Sequence, residues 1–122
     1  IASPCARGGI LNAKSIAALN CRIVAGAANN QLESPADAYR LQERGILYAP
    51  DYVINAGGII NIACEFTPEG YSAETARKRT ETIGPTLTEV FRIANEQGLT
   101  TAAAADHLAE TRLAEGNKAR KK

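Results

Sequence analysis

Two short apolar segments, separated by one helix-length segment, constrain the fold of this chain more than any other feature. Residues 21–25 (Cys-Arg-Ile-Val-Ala) and 46–49 (Ile-Leu-Tyr-Ala) each have the composition of a buried strand. Between them, Ser34 as a capping residue and Pro35 at the first helical position indicate a helix start, and Gly45 indicates its end. This strand–helix–strand spacing predicts an α/β fold with parallel strands and with helices on both faces of the sheet.

The start of the chain extends this pattern. Residues 1–2 read as the tail of a further buried strand, so we expect about three parallel strands in all. Asn12 is a suitable N-cap for a short helix that reaches Leu19. A complete doubly wound nucleotide-binding domain has about six strands. We therefore expect residues 1–66 to be the second half of such a domain, in a fragment of a longer protein.

The second half of the chain is predicted to be helical. A long helix is expected over residues 72–97, with Ser72 as its cap and Gly98 at its end. Gly84-Pro85 predicts a kink in this helix, with a complete break as the less favoured alternative. A final alanine-rich helix is expected to begin at Thr100 or Thr101. Residues 67–122 are therefore predicted to form a helical segment that packs on the first half, and the two halves form one structural unit.

Each predicted strand is followed by a loop that is suited to bind a ligand. Pro4-Cys5-Ala6 follows the first strand, Asn29-Asn30 the second, and Asn55 with Gly57-Gly58 the third. The carboxyl ends of parallel strands meet at one edge, where open α/β sheets bind nucleotides. Adjacent glycines also allow the backbone to approach a ligand closely. The alternative, that these residues only form turns, is more plausible for one loop than for three loops on successive strands.

The same loops carry a family resemblance. Three motifs carry it: Ser3-Pro4-Cys5-Ala6, residues 26–32 (Gly-Ala-Ala-Asn-Asn-Gln-Leu) and residues 49–58. The third motif is interpreted as the end of an apolar strand and a turn, followed by Asn-Ala-Gly-Gly. In this order they resemble the C-terminal portion of the amino-acid dehydrogenases, the family of leucine, valine, phenylalanine and glutamate dehydrogenases, and most of all its leucine and valine branch. The resemblance implies a Rossmann-like fold. It also implies reversible oxidative deamination of an L-amino acid to its 2-oxo acid and ammonia, with NAD as the hydride acceptor.

The resemblance assigns roles to the loop residues. Those expected to bind the cofactor are Pro4, Cys5, Ala6, Asn29, Asn30 and Asn55. Those expected to line the substrate pocket are Asn55, Gly57, Gly58, Ile59 and Ile62. The catalytic lysine and aspartate of the family belong to an N-terminal domain, and no segment here matches them or the glycine-rich turn that receives the pyrophosphate. We therefore expect no catalytic residue in these 122 residues and no activity from the chain alone.

The predicted substrate depends on Ile59 and Ile62, which lie three positions apart on one face of a predicted short helix. In the family, glutamate enzymes carry a hydroxyl residue at the second position, and phenylalanine enzymes tend to have alanine at the first. Two branched aliphatic side chains predict a dry pocket for leucine, valine or isoleucine, in which each buried methylene contributes about 0.8 kcal/mol. The alternatives are a phenylalanine dehydrogenase and a non-enzymatic nucleotide-binding or assembly module.

Composition limits the partners. Hydrophobic residues make up 45% and charged residues 22%, and the net charge is +1, so no nucleic-acid partner is predicted despite the basic tail at residues 118–122. No apolar run approaches the roughly 20 residues that span a bilayer, so no membrane contact is expected. Cys5, Cys21 and Cys64 are too widely spaced for a disulfide framework or a structural zinc site. We expect a cytoplasmic protein without a metal, completed by an N-terminal catalytic region and, in its intact form, a homo-oligomer.

Overall fold

Two parallel strands organise the computed structural model, which describes residues 1–68 and 70–120. Strand β1 (Ile23–Val24) pairs with β2 (Leu47–Tyr48), with Val24 opposite Tyr48. On the other edge of β1, Ala2 forms an isolated parallel bridge, and its N–H donates to the carbonyl of Ile23 at 2.9 Å. The predicted parallel arrangement is confirmed, whereas the expected third strand is represented by this single bridge.

Helices account for most of the remaining described chain. They are α1 (Ala13–Ala18), α2 (Ala36–Glu43), α3 (Asp51–Ile54), α4 (Gly57–Ala63), α5 (Ala73–Glu81), α6 (Ile83–Gln97) and α7 (Thr101–Arg120), with a 3₁₀ turn at Cys64–Phe66. As predicted, α1 is capped by Asn12, whose side chain accepts hydrogen bonds from the N–H groups of Lys14 and Ser15. In the part of the chain that the structure describes, none of these helices is both long and apolar enough to cross a membrane.

The start of α2 differs from the prediction in its capping group. The Ser34 hydroxyl donates to the Asp37 carboxylate at 2.8 Å and accepts no backbone N–H of the helix. The same carboxylate accepts the Ser34 N–H at 2.9 Å and pairs with Arg40 at 2.8 Å. This is one half of a capping box, in which the acidic side chain satisfies the backbone before the helix.

The segment after β2 also differs from its predicted form. The strand ends at Tyr48, and residues 51–54 form the single-turn helix α3 before Asn55. Pro50 precedes this turn with φ −56° and ψ 127°, which directs the chain away from the strand. The loop expected to follow the strand is therefore replaced by one helical turn, and Asn55 lies at its C-terminal end.

The helix predicted over residues 72–97 is two helices, because the chain breaks at Thr82 between α5 and α6. The break places Pro85 in the first turn of α6, where backbone N–H groups have no acceptor within the helix, so its missing donor costs little. The predicted ends are confirmed: the Ser72 hydroxyl accepts the Thr75 N–H at 3.2 Å, and Gly98 ends α6 with φ 67°. The less favoured alternative is thus the observed one.

Part of the predicted basic tail is helical. Helix α7 continues to Arg120, so residues 118–120 are helical, while Lys121 and Lys122 lie outside the described residues. The helix begins at Thr101, as expected, and the Thr100 hydroxyl accepts the Ala103 N–H at 3.1 Å.

The buried apolar side chains form two clusters. The first packs α1 and α2 against the strands and contains Leu11, Ile16, Val24, Leu41, Ile46 and Tyr48. The second joins α6 to α7 and contains Val90, Ile93, Ala94, Ala104 and Ala105, with Val53 of α3 packed against it. Contacts of α3 with α6 and of α7 with β2 connect the helical second half to the strands. The division at residues 66 and 67 stays a prediction.

Candidate functional site

The three predicted loops meet beyond the carboxyl ends of the strands. Asn55 donates from Nδ2 to Oδ1 of Asn29 at 2.6 Å and to the carbonyl of Ala27 at 3.4 Å. Two asparagines that are distant in sequence are therefore in direct contact. Within residues 1–68 and 70–120, Nδ2 of Asn29 and Oδ1 of Asn55 have no hydrogen-bond partner. The pair leaves one donor and one acceptor for a ligand.

The Pro4-Cys5-Ala6 loop lies against the loop that follows β1. The Ala28 N–H donates to the carbonyl of Pro4 at 3.0 Å. A Cβ added at Gly26 would lie 2.1 Å from that carbonyl oxygen and 2.5 Å from the Pro4 nitrogen. Any side chain at position 26 would therefore push the two loops apart. The sequence motif contains Gly26, but this contact could not be inferred from it.

The thiol of Cys5 is exposed and makes two weak hydrogen bonds. Its sulfur lies 3.4 Å from Oγ of Ser3 and 3.5 Å from the N–H of Ala27. The Ser3 contact, followed by that of Ala27, lowers the pKa of the Cys5 thiol below its ordinary value. A larger fraction is therefore thiolate near neutral pH than for an ordinary exposed cysteine.

A buried carboxylate that the sequence analysis did not single out holds the asparagine loop. Asp51 is only 5% exposed, and its Oδ2 accepts the N–H of Asn30 at 2.9 Å. Its Oδ1 accepts the hydroxyl of Tyr48 at 2.6 Å and the N–H of Gln31 at 3.4 Å. Burial, with the hydrogen bond to Asp51, raises the pKa of the Tyr48 hydroxyl, so this proton stays on the tyrosine. The sequence signal was an acidic residue directly after Pro50.

Gln31 supports the same loop from inside the protein. Its side chain is fully buried, and Nε2 donates to the carbonyls of Gly26 at 2.7 Å and Ala28 at 3.0 Å. Among the described residues its Oε1 has no partner. The loop between β1 and α2 is thus fixed by side chains on both sides, by Gln31 and by Asp51.

Of the residues predicted to line a substrate pocket, Gly57, Gly58, Ile59 and Ile62 lie on α4, and Asn55 precedes this helix. Ile59 is 67% exposed and Ile62 is 49% exposed, so both face open space. A Cβ at Gly58 would meet nothing within 4 Å, and one at Gly57 would meet only Cγ2 of Thr80 at 3.6 Å. The described residues therefore provide no steric reason for either glycine. Close approach of a ligand remains their predicted role.

Metal-ligating side chains are dispersed in the described chain. In residues 1–68 and 70–120, no group of three or more His, Cys, Asp or Glu residues is arranged to hold a metal ion. The polar groups that do converge are amides, one thiol and backbone N–H and carbonyl groups. These groups are suited to hydrogen bonding with a neutral, planar ligand group.

Comparison with known proteins identifies the family. The model of the glutamate/leucine/phenylalanine/valine dehydrogenases matches residues 1–121. The chain is 49% identical over 113 residues to leucine dehydrogenase of Thermoactinomyces intermedius, covering 93% of this chain and 30% of that protein. It is 50% identical over 123 aligned positions to L-tryptophan dehydrogenase of Nostoc punctiforme, covering 100% of this chain and 34% of that protein.

A solved structure shows the same architecture. The crystal structure of L-tryptophan dehydrogenase from Nostoc punctiforme superposes with a TM-score of 0.88 at 52% identity, covering 93% of this chain and 34% of that one. The chain thus spans about a third of the length of the curated relatives that it matches. With a family model matched over nearly its whole length, this chain belongs to the glutamate/leucine/phenylalanine/valine dehydrogenase family.

Proposed function

We propose that these residues form the nicotinamide-binding half of the cofactor domain of an NAD-dependent amino-acid dehydrogenase. The observation that carries the proposal is the hydrogen bond between Asn29 and Asn55, which joins two loops at the carboxyl ends of parallel strands. In this proposal the Pro4-Cys5-Ala6 loop lies beside the pair and contacts the nicotinamide ribose, and Asn30 completes the cofactor-binding set. The reaction is the reversible oxidative deamination of an L-amino acid to its 2-oxo acid.

The free groups of the asparagine pair fit a carboxamide. The nicotinamide carboxamide has one carbonyl acceptor and one NH₂ donor, and the pair offers Nδ2 of Asn29 and Oδ1 of Asn55. When bound, NAD supplies the hydride acceptor, and the chemistry of hydride transfer belongs to the cofactor. The role of this chain is to bind the ring and fix its orientation. Holding the ring in the reactive orientation lowers the activation free energy.

The acid–base groups of the reaction belong elsewhere in this proposal. Residues 3–6, 26–31 and 51–62 contain no lysine, and Asp51 is buried and already accepts three hydrogen bonds. The lysine and aspartate that perform proton transfer in the family would come from a preceding domain of a longer protein. Assembly into a homo-oligomer is part of the same proposal.

The proposed substrate is an L-amino acid with an apolar side chain, and within that class leucine, valine or isoleucine. Ile59 and Ile62 present branched aliphatic side chains on the helix that follows Gly57-Gly58, and both are exposed. Two aliphatic side chains offer no hydrogen-bond donor to a carboxylate, so they disfavour a charged substrate side chain. An aromatic substrate is the second candidate, favoured by the 50% identity to an enzyme named for tryptophan.

The test is a substrate panel with a full-length protein that contains this sequence. We expect NADH formation with leucine, valine and isoleucine at the highest kcat/KM. Ile62→Thr, which replaces the ethyl group on Cβ with a hydroxyl, should lower kcat/KM for leucine by about tenfold. Leu113→Thr is the matched control, because Leu113 is 68% exposed on α7, outside the site loops. Its replacement should leave kcat/KM for leucine unchanged.

Each outcome of the panel decides one part of the proposal. Preference for tryptophan or phenylalanine would support the aromatic alternative and reject the branched-chain assignment. Preference for glutamate would overturn the argument from Ile59 and Ile62. Absence of NADH formation with every amino acid would overturn the proposed function as a whole.

A further inference from the structure

We propose that Asp51 is a positioning residue of this site, whose carboxylate fixes the loop that carries Asn29 and holds that side chain against Asn55. The inference rests on the proposed function, because the site it positions is the proposed nicotinamide site. Asp51 touches no ligand in this account. It acts only through the two asparagines.

Three chain segments converge on this carboxylate. Tyr48 contributes its hydroxyl from the end of β2, at 2.6 Å from Oδ1. The loop after β1 contributes two consecutive backbone N–H groups, those of Asn30 at 2.9 Å and Gln31 at 3.4 Å. Asp51 itself begins α3. We call this arrangement of Asp51, Tyr48 and the two N–H groups the Asp51 clamp.

The backbone at the clamp has a conformation that needs support. Asn30 has φ 52°, in the left-handed region that most residues avoid. Turns of this kind direct successive N–H groups toward one point and create a concave site for an anion. Here the anion is supplied by the protein, because the buried Asp51 carboxylate occupies that position. The loop geometry and the carboxylate therefore depend on each other.

The same residue also places the second asparagine. The main-chain carbonyl of Asp51 accepts the N–H of Asn55 at 2.8 Å, one helical turn later. Asp51 thus holds Asn55 through its backbone and the neighbour of Asn29 through its side chain. The contact of 2.6 Å between the asparagine side chains is the consequence of these two attachments. Loss of the side-chain attachment should leave Asn55 in place and release Asn29.

The hydrogen-bond donors around Asp51 explain why asparagine cannot take its place without loss of a contact. Tyr48, Asn30 and Gln31 all donate, so both oxygens of residue 51 must accept. In the described chain no basic side chain forms an ion pair with Asp51, so these donors are what offsets its buried charge. In Asp51→Asn one oxygen becomes an NH₂ donor. The Tyr48 hydroxyl can turn and accept from it, but whichever oxygen is replaced, the new donor also faces a backbone N–H, that of Gln31 or that of Asn30. One backbone contact of the clamp is then lost.

The experiment measures NAD affinity and steady-state kinetics of the full-length protein with Asp51→Asn. We expect the Kd for NAD to rise and kcat/KM to fall by at least about tenfold, since a misplaced positioning group costs up to about a hundredfold. The KM for the amino acid should change less than the KM for NAD. That split separates positioning of the cofactor from a general loss of folded protein.

Asp37→Asn is the matched control for loss of a buried carboxylate. Asp37 is 1% exposed and, like Asp51, accepts a backbone N–H and a hydroxyl, here both from Ser34. It differs from Asp51 in that it also pairs with Arg40. It lies on α2, outside the site loops. Asp37→Asn should lower the melting temperature while the Kd for NAD stays within about twofold of wild type. If both variants weakened NAD binding equally, Asp51 would have only a structural role and the inference would be wrong.

Tyr48→Phe keeps the test decisive if Asp51→Asn does not fold. It removes one donor of the clamp and keeps the carboxylate and both backbone contacts. We expect a smaller rise in the Kd for NAD, of at least about threefold. Wild-type affinity in Tyr48→Phe and in any folded Asp51→Asn protein, together with weakened binding in Asn55→Ala, would overturn the positioning role and leave the proposed function intact. A wild-type protein that neither bound NAD nor oxidised an amino acid would instead overturn the proposed function.

Discussion

The sulfur of Cys5 lies at the edge of the proposed site, exposed, with hydrogen bonds from Ser3 and Ala27 that lower its pKa. Both donors favour the thiolate over the thiol, because a hydrogen bond to the charged form stabilises it. The fraction of thiolate therefore rises at a lower pH than for an ordinary cysteine. Cys64, which is buried, provides an unreactive reference in the same chain.

This arrangement predicts the pH dependence of alkylation at Cys5. The rate, followed by mass spectrometry of the peptide that contains Cys5, should reach half its plateau below the ordinary thiol pKa of about 8.5. Ser3→Ala should move the midpoint upward, because the Ser3 contact is the main cause of the lowered pKa. Saturating NAD should slow the reaction if the loop contacts the ribose. A midpoint at or above 8.5 in the wild type would contradict the hydrogen-bond assignment.

The residues of the site were predictable only in part. Asn29 and Asn55 could be singled out because each follows a segment with the pattern of a buried strand, and their side chains are in contact in the structure. Asp51 and Gln31 could not, because their partners are backbone groups of one loop, and sequence patterns do not show which backbone groups lack a partner in secondary structure. Whether the predicted residues bind cofactor or substrate stays a prediction.

Between elements, the contact of Gly26 with Pro4 decides how closely two site loops can approach. The Ala28 N–H bonds to the Pro4 carbonyl only because residue 26 lacks a side chain. The contact of Gly26 with Pro4 joins the segment after Ala2 to the segment after β1. It thereby sets the distance between the proposed ribose contact and the asparagine pair.

Gly26→Ala tests whether the contact of Gly26 with Pro4 holds the two loops together. An added methyl group at 2.1 Å from the Pro4 carbonyl oxygen must displace one loop, and overpacking of this kind costs about 1–3 kcal/mol of stability. We expect a lower melting temperature and weaker NAD binding in the full-length protein. Gly116→Ala is the control, since its added Cβ would meet nothing within 4 Å and alanine favours the helix. Unchanged stability and NAD affinity in Gly26→Ala would show that the loops are not held by this contact.

At the level of helices and strands, local signals were reliable where a cap or a stop residue defines the end. Asn12, Ser72 and Gly98 mark helix ends that are found in the structure. The signals failed where two elements compete for the same residues. Gly84-Pro85 favours interruption but does not fix whether the helix bends or breaks, and the observed break at Thr82 places Pro85 in a first turn.

For the whole molecule, the parallel α/β arrangement followed from the spacing of apolar segments, but the number of strands did not. Ala2 makes only a bridge, although the sequence suggested the end of a strand. Several large apolar side chains remain exposed between residues 59 and 71, among them Phe66 at 83% and Ile59 at 67%. A surface of this kind usually marks an interaction or ligand site. It agrees with the proposal that another part of a longer enzyme completes the substrate pocket.

Asn29 and Asn55 are proposed to act together to bind the nicotinamide of NAD. The most direct test is titration calorimetry of NAD with the full-length wild type, Asn29→Ala, Asn55→Ala and the double variant. Each single variant should weaken binding by at least about tenfold, and the double variant should be about as weak as the weaker single variant, because residues in one hydrogen-bonded pair are not additive. NAD affinity within about twofold of wild type in both single variants would contradict the claim.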